Sequence, residues 1–273
     1  MYLSFFGFSE KPFTIKPNKH LLFLGSPHVS ALSLLCYGVE NNDGFTVIVG
    51  EVGCGKTTLC QALLDQLDAK KYFPIYLPIP PQTEEELLAS FISTFDIQEV
   101  SSGNIVETRK GIKQKLTYYN RQRKRVLLIV DEAQNLSNAM LENIRLLSNI
   151  EINGNRAMHI ILLGQPELKQ HLRQRCMRQL RQRISVFQEL RPLNARETRH
   201  YIQHHLSLVQ TEHISLFTYW AMHKIFSLSK GVPRIINNIC DKSLISAYVR
   251  NSYKVKRRDV VRAFQEIQQI EES

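Results

Sequence analysis

Five short apolar runs stand out along the chain: FTVIVG at 45–50, FPIYLPI at 73–79, RVLLIVDE at 125–132, HIILLG at 159–164 and SVFQEL at 185–190. Runs of this length bounded by turn formers predict buried strands. Between the first four lie segments whose apolar positions recur at helical spacing: TTLCQALLDQL, EEELLASFISTF and AMLENIRLLSNI. Such alternation predicts a parallel sheet covered by helices on both faces. From Asn194 the strand pattern stops, and helical patterns follow at 195–209, 215–229, 233–250 and 257–270. Asn194 and Glu197 have the spacing of an N-cap and its N3 partner, and Gly231 with Pro233 punctuates the gap before the third helix. The expected fold class is therefore α/β, with a five-stranded parallel sheet between helices over 1–193 and an all-helical domain over 194–273. The stretch 96–108, DIQEVSSGNIVET, has no period and is expected to be a loop.

Composition narrows the class without naming a function. A hydrophobic share of 43% and a charged share of 22% exclude a disordered chain or a fibre. No run approaches the roughly 18 apolar residues of a membrane span. The N-terminus lacks the basic region, continuous apolar core and cleavage site of a signal peptide, so it is expected to be folded. Five widely spaced cysteines, odd in number and without a CxxC pair, predict reduced thiols in a cytoplasmic setting and no structural zinc. The net charge of +10 suits nucleic acid or an anionic membrane surface, but enzymes of nucleotides are often basic too.

The chemistry begins at GEVGCGKTT, residues 50–58, which fits G-x-x-x-x-G-K-S/T through Gly50, Gly55, Lys56 and Thr57. Glycines let backbone N–H groups turn toward phosphate oxygens, and the following helix offers its positive end. Lys56 is placed to reach the β- and γ-phosphates and the Thr57 hydroxyl to hold Mg²⁺. Candidate nucleotide contacts are Gly50, Val52, Gly53, Cys54, Gly55, Lys56, Thr57 and Thr58, with ATP and Mg²⁺ as the expected cofactors. The pattern follows an apolar strand and opens a helix, which is the context it requires.

A second acidic element ends the strand RVLLIVDE. Asp131 suits a magnesium-bound water, with Thr57 as the other metal-side residue, and Glu132 suits the base that polarises attacking water. Both elements fall at the carboxyl ends of strands, where open parallel sheets bind ligands. The fourth run ends in Gly164-Gln165-Pro166, which brings Gln165 beside the acidic pair if the strands are neighbours; orienting water and sensing the γ-phosphate are both open to it. Arg234, in GVPRIINNI, is a cation at a helix start and calls for an anion, either a bound phosphate or a surface carboxylate.

Together these residues resemble an AAA+ ATPase with a helical lid. The opening FFGFSEKPFTIKPN with His28, Ala31 and Leu32, then GFTVIVGEVGCGKTT, DEAQNLS, GQPEL, LRQRI, PLNARET and GVPRIIN, resemble the ExeA/GspA-type secretion ATPases, and most closely their short, mannose-sensitive-pilus (MshM-like) branch. The resemblance implies a cytoplasmic protein at the inner-membrane face that acts on secretion or pilus assembly proteins. Long members continue into a membrane span and a periplasmic peptidoglycan-binding domain. This chain has neither through Ser273, so the short type or a missing downstream part is expected, and a peptidoglycan role does not carry over. AAA+ proteins close the segment before the phosphate loop, here 1–44, over the adenine. Pro12, Phe13 and His28 are candidates, with simple packing as the alternative. The pair His204-His205 lacks metal-ligand spacing, and Trp220 with Tyr219 and Phe217 is expected in the lid core.

Two functions stay open. One is an ATPase that joins copies of itself through nucleotide and drives assembly of an envelope pilus or secretion complex. The other is a DNA-binding AAA+ regulator of the transposition-selector or initiator kind, supported by the charge and by RQRCMRQLRQR at 173–183. A nucleotide site without activity is disfavoured by the presence of Lys56, Asp131 and Glu132. Read as one helix at about 100° per residue, the five arginines spread around the axis, while Met177, Leu180 and Ile184 share a face toward the core. A phosphate-facing stripe is thus a poor description. Arg178 and Arg181, three apart, share a face away from that apolar stripe, just before the fifth strand, where AAA+ proteins present an arginine to a neighbouring subunit's γ-phosphate. Either is the candidate finger, ahead of Arg183.

Overall fold

Strand burial follows the apolar pattern. The computed structural model describes residues 2–14, 23–41, 44–97, 105–210 and 215–271. In it β1 (Phe45–Val49) is buried throughout and β3 (Arg125–Val130) at every residue after Arg125. Two-residue β4 (Glu151–Ile152) and β5 (Asn155–Arg156) form a small antiparallel hairpin, and β6 (Met158–Gly164) is buried along its whole length. β2 (Tyr72–Leu77) and β7 (Ile184–Glu189) are only partly buried. The five long strands make one parallel sheet in the order β2-β3-β6-β1-β7, which explains the difference: the buried strands are central and the mixed ones are edges. The expected five-stranded parallel sheet is thus present.

The helices are α1 (Tyr2–Phe6), α2 (Ser26–Asn41), α3 (Lys56–Gln66), α4 (Glu84–Phe95), α5 (Ile105–Arg121), α6 (Asn138–Leu147), α7 (Pro166–Arg173), α8 (Arg178–Arg181), α9 (Ala195–Val209), α10 (Tyr219–Ser229), α11 (Pro233–Val249) and α12 (Arg257–Glu271). The Asn194–Glu197 pair forms the expected reciprocal capping box at the start of α9. Of the expected loop at 96–108, residues 98–104 lie outside the described residues, and Ile105–Thr108 are already the first turn of α5.

The chain divides into two compact units, Met1–Val29 with Val52–Thr58 and Arg191–Ser273, and Ser30–Glu51 with Leu59–Leu190. The second is organised by the sheet, around Val47, Leu128, Ile160, Phe91, Ile112 and Ile144. The first has its own core of Phe6, Phe13, Ile202, Ile225, Ile236 and Leu244. Its tightest backbone approach is Gly231, with φ +80°, where an added Cβ would lie 1.8 Å from the Leu193 carbonyl oxygen. Only glycine fits there.

Candidate active site

The phosphate-binding motif forms a tight loop between β1 and α3. Gly53 and Gly55 have φ of +80° and +92°, so the turn uses conformations other residues avoid. A Cβ on Gly53 would meet Arg234 Cβ at 2.6 Å, and one on Gly55 would meet His28 Nε2 at 2.8 Å. Within this unit the loop therefore lies directly against His28 and the start of α11. His28 Nε2 donates to the Cys54 carbonyl at 2.9 Å, and burial pushes the ring's pKa down, so the imidazole is a neutral prop. The Arg234 N–H donates to the Gly53 carbonyl at 3.3 Å while the guanidinium is exposed. Arg234 follows Pro233 in the first turn of α11, a position where a cation opposes the helix dipole. Lys56 opens α3 and is 6% exposed, Thr57 is exposed, and Cys54 is buried. Val52 is exposed, Thr58 half-buried, and Gly50 N–H donates to the Gly164 carbonyl at 3.0 Å.

In the sheet unit, pairing of β3 with β6 makes Asp131-Glu132 and Gln165 neighbours, as the sequence reading required. Asp131 is 3% exposed; it accepts the Tyr76 hydroxyl at 3.1 Å and the Glu132 N–H at 2.9 Å. Burial, then the Asp131 charge, push the Tyr76 phenol far up, so it stays protonated and donates. The same two causes push the Cys60 thiol up to about 12, leaving it unreactive. Glu132 is held in the left-handed region at φ 50°, ψ 35°, a conformation that a non-glycine residue adopts only at a cost. Its Oε2 accepts from Gln134 Nε2 at 2.6 Å and from Gln165 Nε2 at 3.2 Å. Gln134 closes the ring by accepting the Gln165 N–H at 2.9 Å. Gly164 leaves the space: a Cβ there would come within 3.2 Å of Gln134 Oε1. Gln134 and Tyr76 carry this arrangement and were not picked out from sequence. The signal for Gln134 was its place two residues after Glu132 at a strand end; Tyr76 offered none beyond its strand.

The arginine run is not one helix. α7 ends at Arg173, Gln174 is extended, a single 3-10 turn covers Arg175–Met177, and α8 is one turn. The wheel drawn through 173–183 is therefore wrong in phase, although Met177 and Leu180 are buried, with Ile184 partly so at the head of β7. The break has a visible cause. Arg181 Nη1 donates to the Leu172 and Arg173 carbonyls, both at 3.1 Å, satisfying groups left open at the end of α7. Arg183 donates to Ser148 Oγ at 3.1 Å. Arg178 is exposed, and its side chain makes no hydrogen bond among the described residues.

Phe13 is 2% exposed, stacked on His205 at 5.7 Å and edge-on to Phe217 at 6.1 Å, so the structure gives it a packing place in the helical core. The Pro12 carbonyl accepts from His205 Nδ1 at 2.8 Å. Trp220 and Tyr219 correct the sequence reading: they are 66% and 55% exposed, and only Phe217 of the three is buried. Thr218 caps α10, and the helix turns its first two residues outward while Ala221 and Met222 face the core. Among the described residues no helix is long and apolar enough to cross a membrane.

A family model described as an AAA domain matches residues 39–172. The General secretion pathway protein A of Aeromonas hydrophila is 38% identical over 270 residues, covering 99% of this chain and 49% of that protein, so the chain spans about half the relative's length. Among solved structures, Cdc6p from Pyrobaculum aerophilum superposes with a TM-score of 0.70 at 14% identity, covering 92% of this chain and 70% of that one. The Aeropyrum pernix ORC1 protein in complex with DNA gives 0.67 at 15% identity over 94% and 69%. At these identities the structures establish the fold alone: a P-loop α/β core with added helices. With 99% of this chain aligned to the secretion relative at 38% identity and an AAA domain matched within it, the chain belongs to the AAA+ proteins of the ExeA/GspA type.

Proposed function

We propose that the chain binds and hydrolyses ATP and uses the cycle to assemble or regulate an envelope secretion or pilus complex. The observation that carries the reading is the hydrogen-bonded set of Glu132, Gln134 and Gln165 at the ends of two adjacent sheet strands. Two amides that only donate to its Oε2 fix the carboxylate as an acceptor, the state needed to take a proton from attacking water. Lys56 and the loop N–H groups would hold the phosphates, with Arg234, packed on Gly53, adding a cation. The Thr57 hydroxyl and the Asp131 carboxylate are hard oxygen donors of the kind Mg²⁺ takes, and the ion would neutralise phosphate charge. Phe13 retains no support as an adenine contact beyond its place in 1–44.

Arg178 is the better candidate for an arginine that acts on a neighbouring copy, because Arg181 already holds two carbonyls of α7. On this reading ATP joins subunits and hydrolysis releases them. The net charge of +10 supports a DNA-acting regulator as the second reading. ATP turnover and DNA affinity measured across salt concentrations separate the two. The secretion reading expects turnover indifferent to duplex DNA; DNA-stimulated turnover with steeply salt-dependent binding would overturn it.

A further inference from the structure

The helical unit carries an outward-facing group that the nucleotide chemistry does not use. Phe217 and Val255 form a parallel bridge, in which Val255 N–H donates to the Leu216 carbonyl at 2.9 Å and Thr218 N–H to the Val255 carbonyl at 3.1 Å. Two residues beyond this bridge on each strand, α10 and α12 begin, so their first turns start side by side. One contributes Tyr219 and Trp220; the other contributes Arg257 and Arg258, preceded by Lys256, all exposed. Arg199 adds a further cation, 5.6 Å from the Tyr219 ring centroid.

Three features set the chemistry of the partner. Lys256, Arg257 and Arg258 have no side-chain ion pair among the described residues, and Asp259, the acid in the first turn of α12, is buried and bound by Arg250 at 2.8 Å. The cations are thus uncompensated and stand at a helix start, where the dipole repels them, so the complementary surface is anionic. Exposed tryptophan and tyrosine need a partner with an apolar layer beneath its charge. The rings do not form a platform for successive bases: Tyr219 and Trp220 are edge-to-face at 81°, Trp220 and His223 at 68°, and Arg199 lies over Tyr219. Base stacking on single strands wants ring faces laid open along a groove.

We infer that the paired starts of α10 and α12 dock the protein on an anionic phospholipid surface, with Trp220 and Tyr219 entering the headgroup layer and Lys256, Arg257 and Arg258 meeting the lipid phosphates. This surface is independent of the nucleotide reading and would stand if that reading fell.

Trp220 is the single tryptophan of the chain, which makes it its own reporter. The expected result is a blue shift of its emission with phosphatidylglycerol-rich vesicles and none with pure phosphatidylcholine. Changing Lys256, Arg257 and Arg258 together to alanine should weaken vesicle binding roughly 100-fold, at about fivefold per charge, with helicity unchanged by circular dichroism. Trp220→Ala, followed by co-sedimentation, should weaken binding while leaving its salt dependence in place. Three outcomes would overturn the inference. Equal shifts with neutral and anionic vesicles would remove the electrostatic part. Binding undiminished in the triple variant would place the contact elsewhere. No vesicle binding, with or without quenching of Trp220 by a single-stranded oligonucleotide, would remove the membrane, and quenching would assign the patch to nucleic acid.

Discussion

Replacing Gln134 by alanine removes its 2.6 Å hydrogen bond to Glu132 and the acceptor of the Gln165 N–H at 2.9 Å. A hydrogen bond to a charged group is worth about 1.5–3 kcal/mol. If that energy holds Glu132 in its working position, its loss appears in the transition state as a fall in kcat of about 10- to 100-fold, at about 1.4 kcal/mol per decade. The lower half of the range is expected, since Gln165 Nε2 still reaches Glu132 at 3.2 Å. ATP affinity should be little changed, because among the described residues the hydrogen bonds of the Gln134 side chain go to Glu132 and Gln165. Steady-state phosphate release with a fluorescent-nucleotide titration separates the two quantities. In a Glu132→Gln background the alanine change should cost almost nothing further, because residues acting as a unit are not additive. Gln134→Glu, which sets a carboxylate against Glu132, should be at least as damaging. Full turnover in Gln134→Ala, or losses that multiply with those of Glu132→Gln, would refute the positioning role.

Other expectations follow from single contacts. Gly231→Ala should destabilise the helical unit by about 3 kcal/mol or more, read by urea unfolding, since the added Cβ meets a backbone oxygen at 1.8 Å and φ is +80°. Glu197, held down to about 2 from an ordinary 4.5, first by the Arg191 side chain, contributes stability that is present above pH 4.5 and is lost as pH falls toward 2. The shift corresponds to at most about 3 kcal/mol, and screening at an Arg191 that is 51% exposed reduces this to about 1–2 kcal/mol. The stability gap between wild type and Glu197→Gln should therefore close on acidification; a constant gap contradicts the ion-pair account. Arg178→Ala should lose turnover yet be partly rescued by mixing with Lys56→Ala, whereas Arg181→Ala should chiefly lower the melting temperature.

What the sequence made legible was what depends on period and on short motifs. Strands β1, β3 and β6 were readable because burial on both faces demands unbroken apolar runs, and the capping box because its two residues act locally. The ring around Glu132 was half readable. Gln165 lay at a strand end, but Gln134 acts by folding back through a left-handed Glu132, and no periodicity reports that turn. The β4-β5 hairpin was missed although Asn153-Gly154, with φ of +55° and +77°, is a strong two-residue turn signal. The run 173–183 failed for another reason: a wheel assumes one axis, and the chain breaks at Gln174 where Arg181 caps the preceding helix. Trp220 failed because large apolar side chains are mostly inside, and a helix start that turns outward has no sequence mark.

The proposed chemistry rests on two roles, Lys56 binding nucleotide phosphate and Glu132 activating water. It is tested most directly by measuring ATP affinity and hydrolysis together for wild type, Lys56→Ala and Glu132→Gln. Magnesium-dependent turnover by the wild type and lost affinity in Lys56→Ala are expected. Glu132→Gln should keep affinity within a few fold and hydrolyse about 100- to 10,000-fold more slowly. Normal turnover in Glu132→Gln, or undiminished affinity in Lys56→Ala, would contradict it.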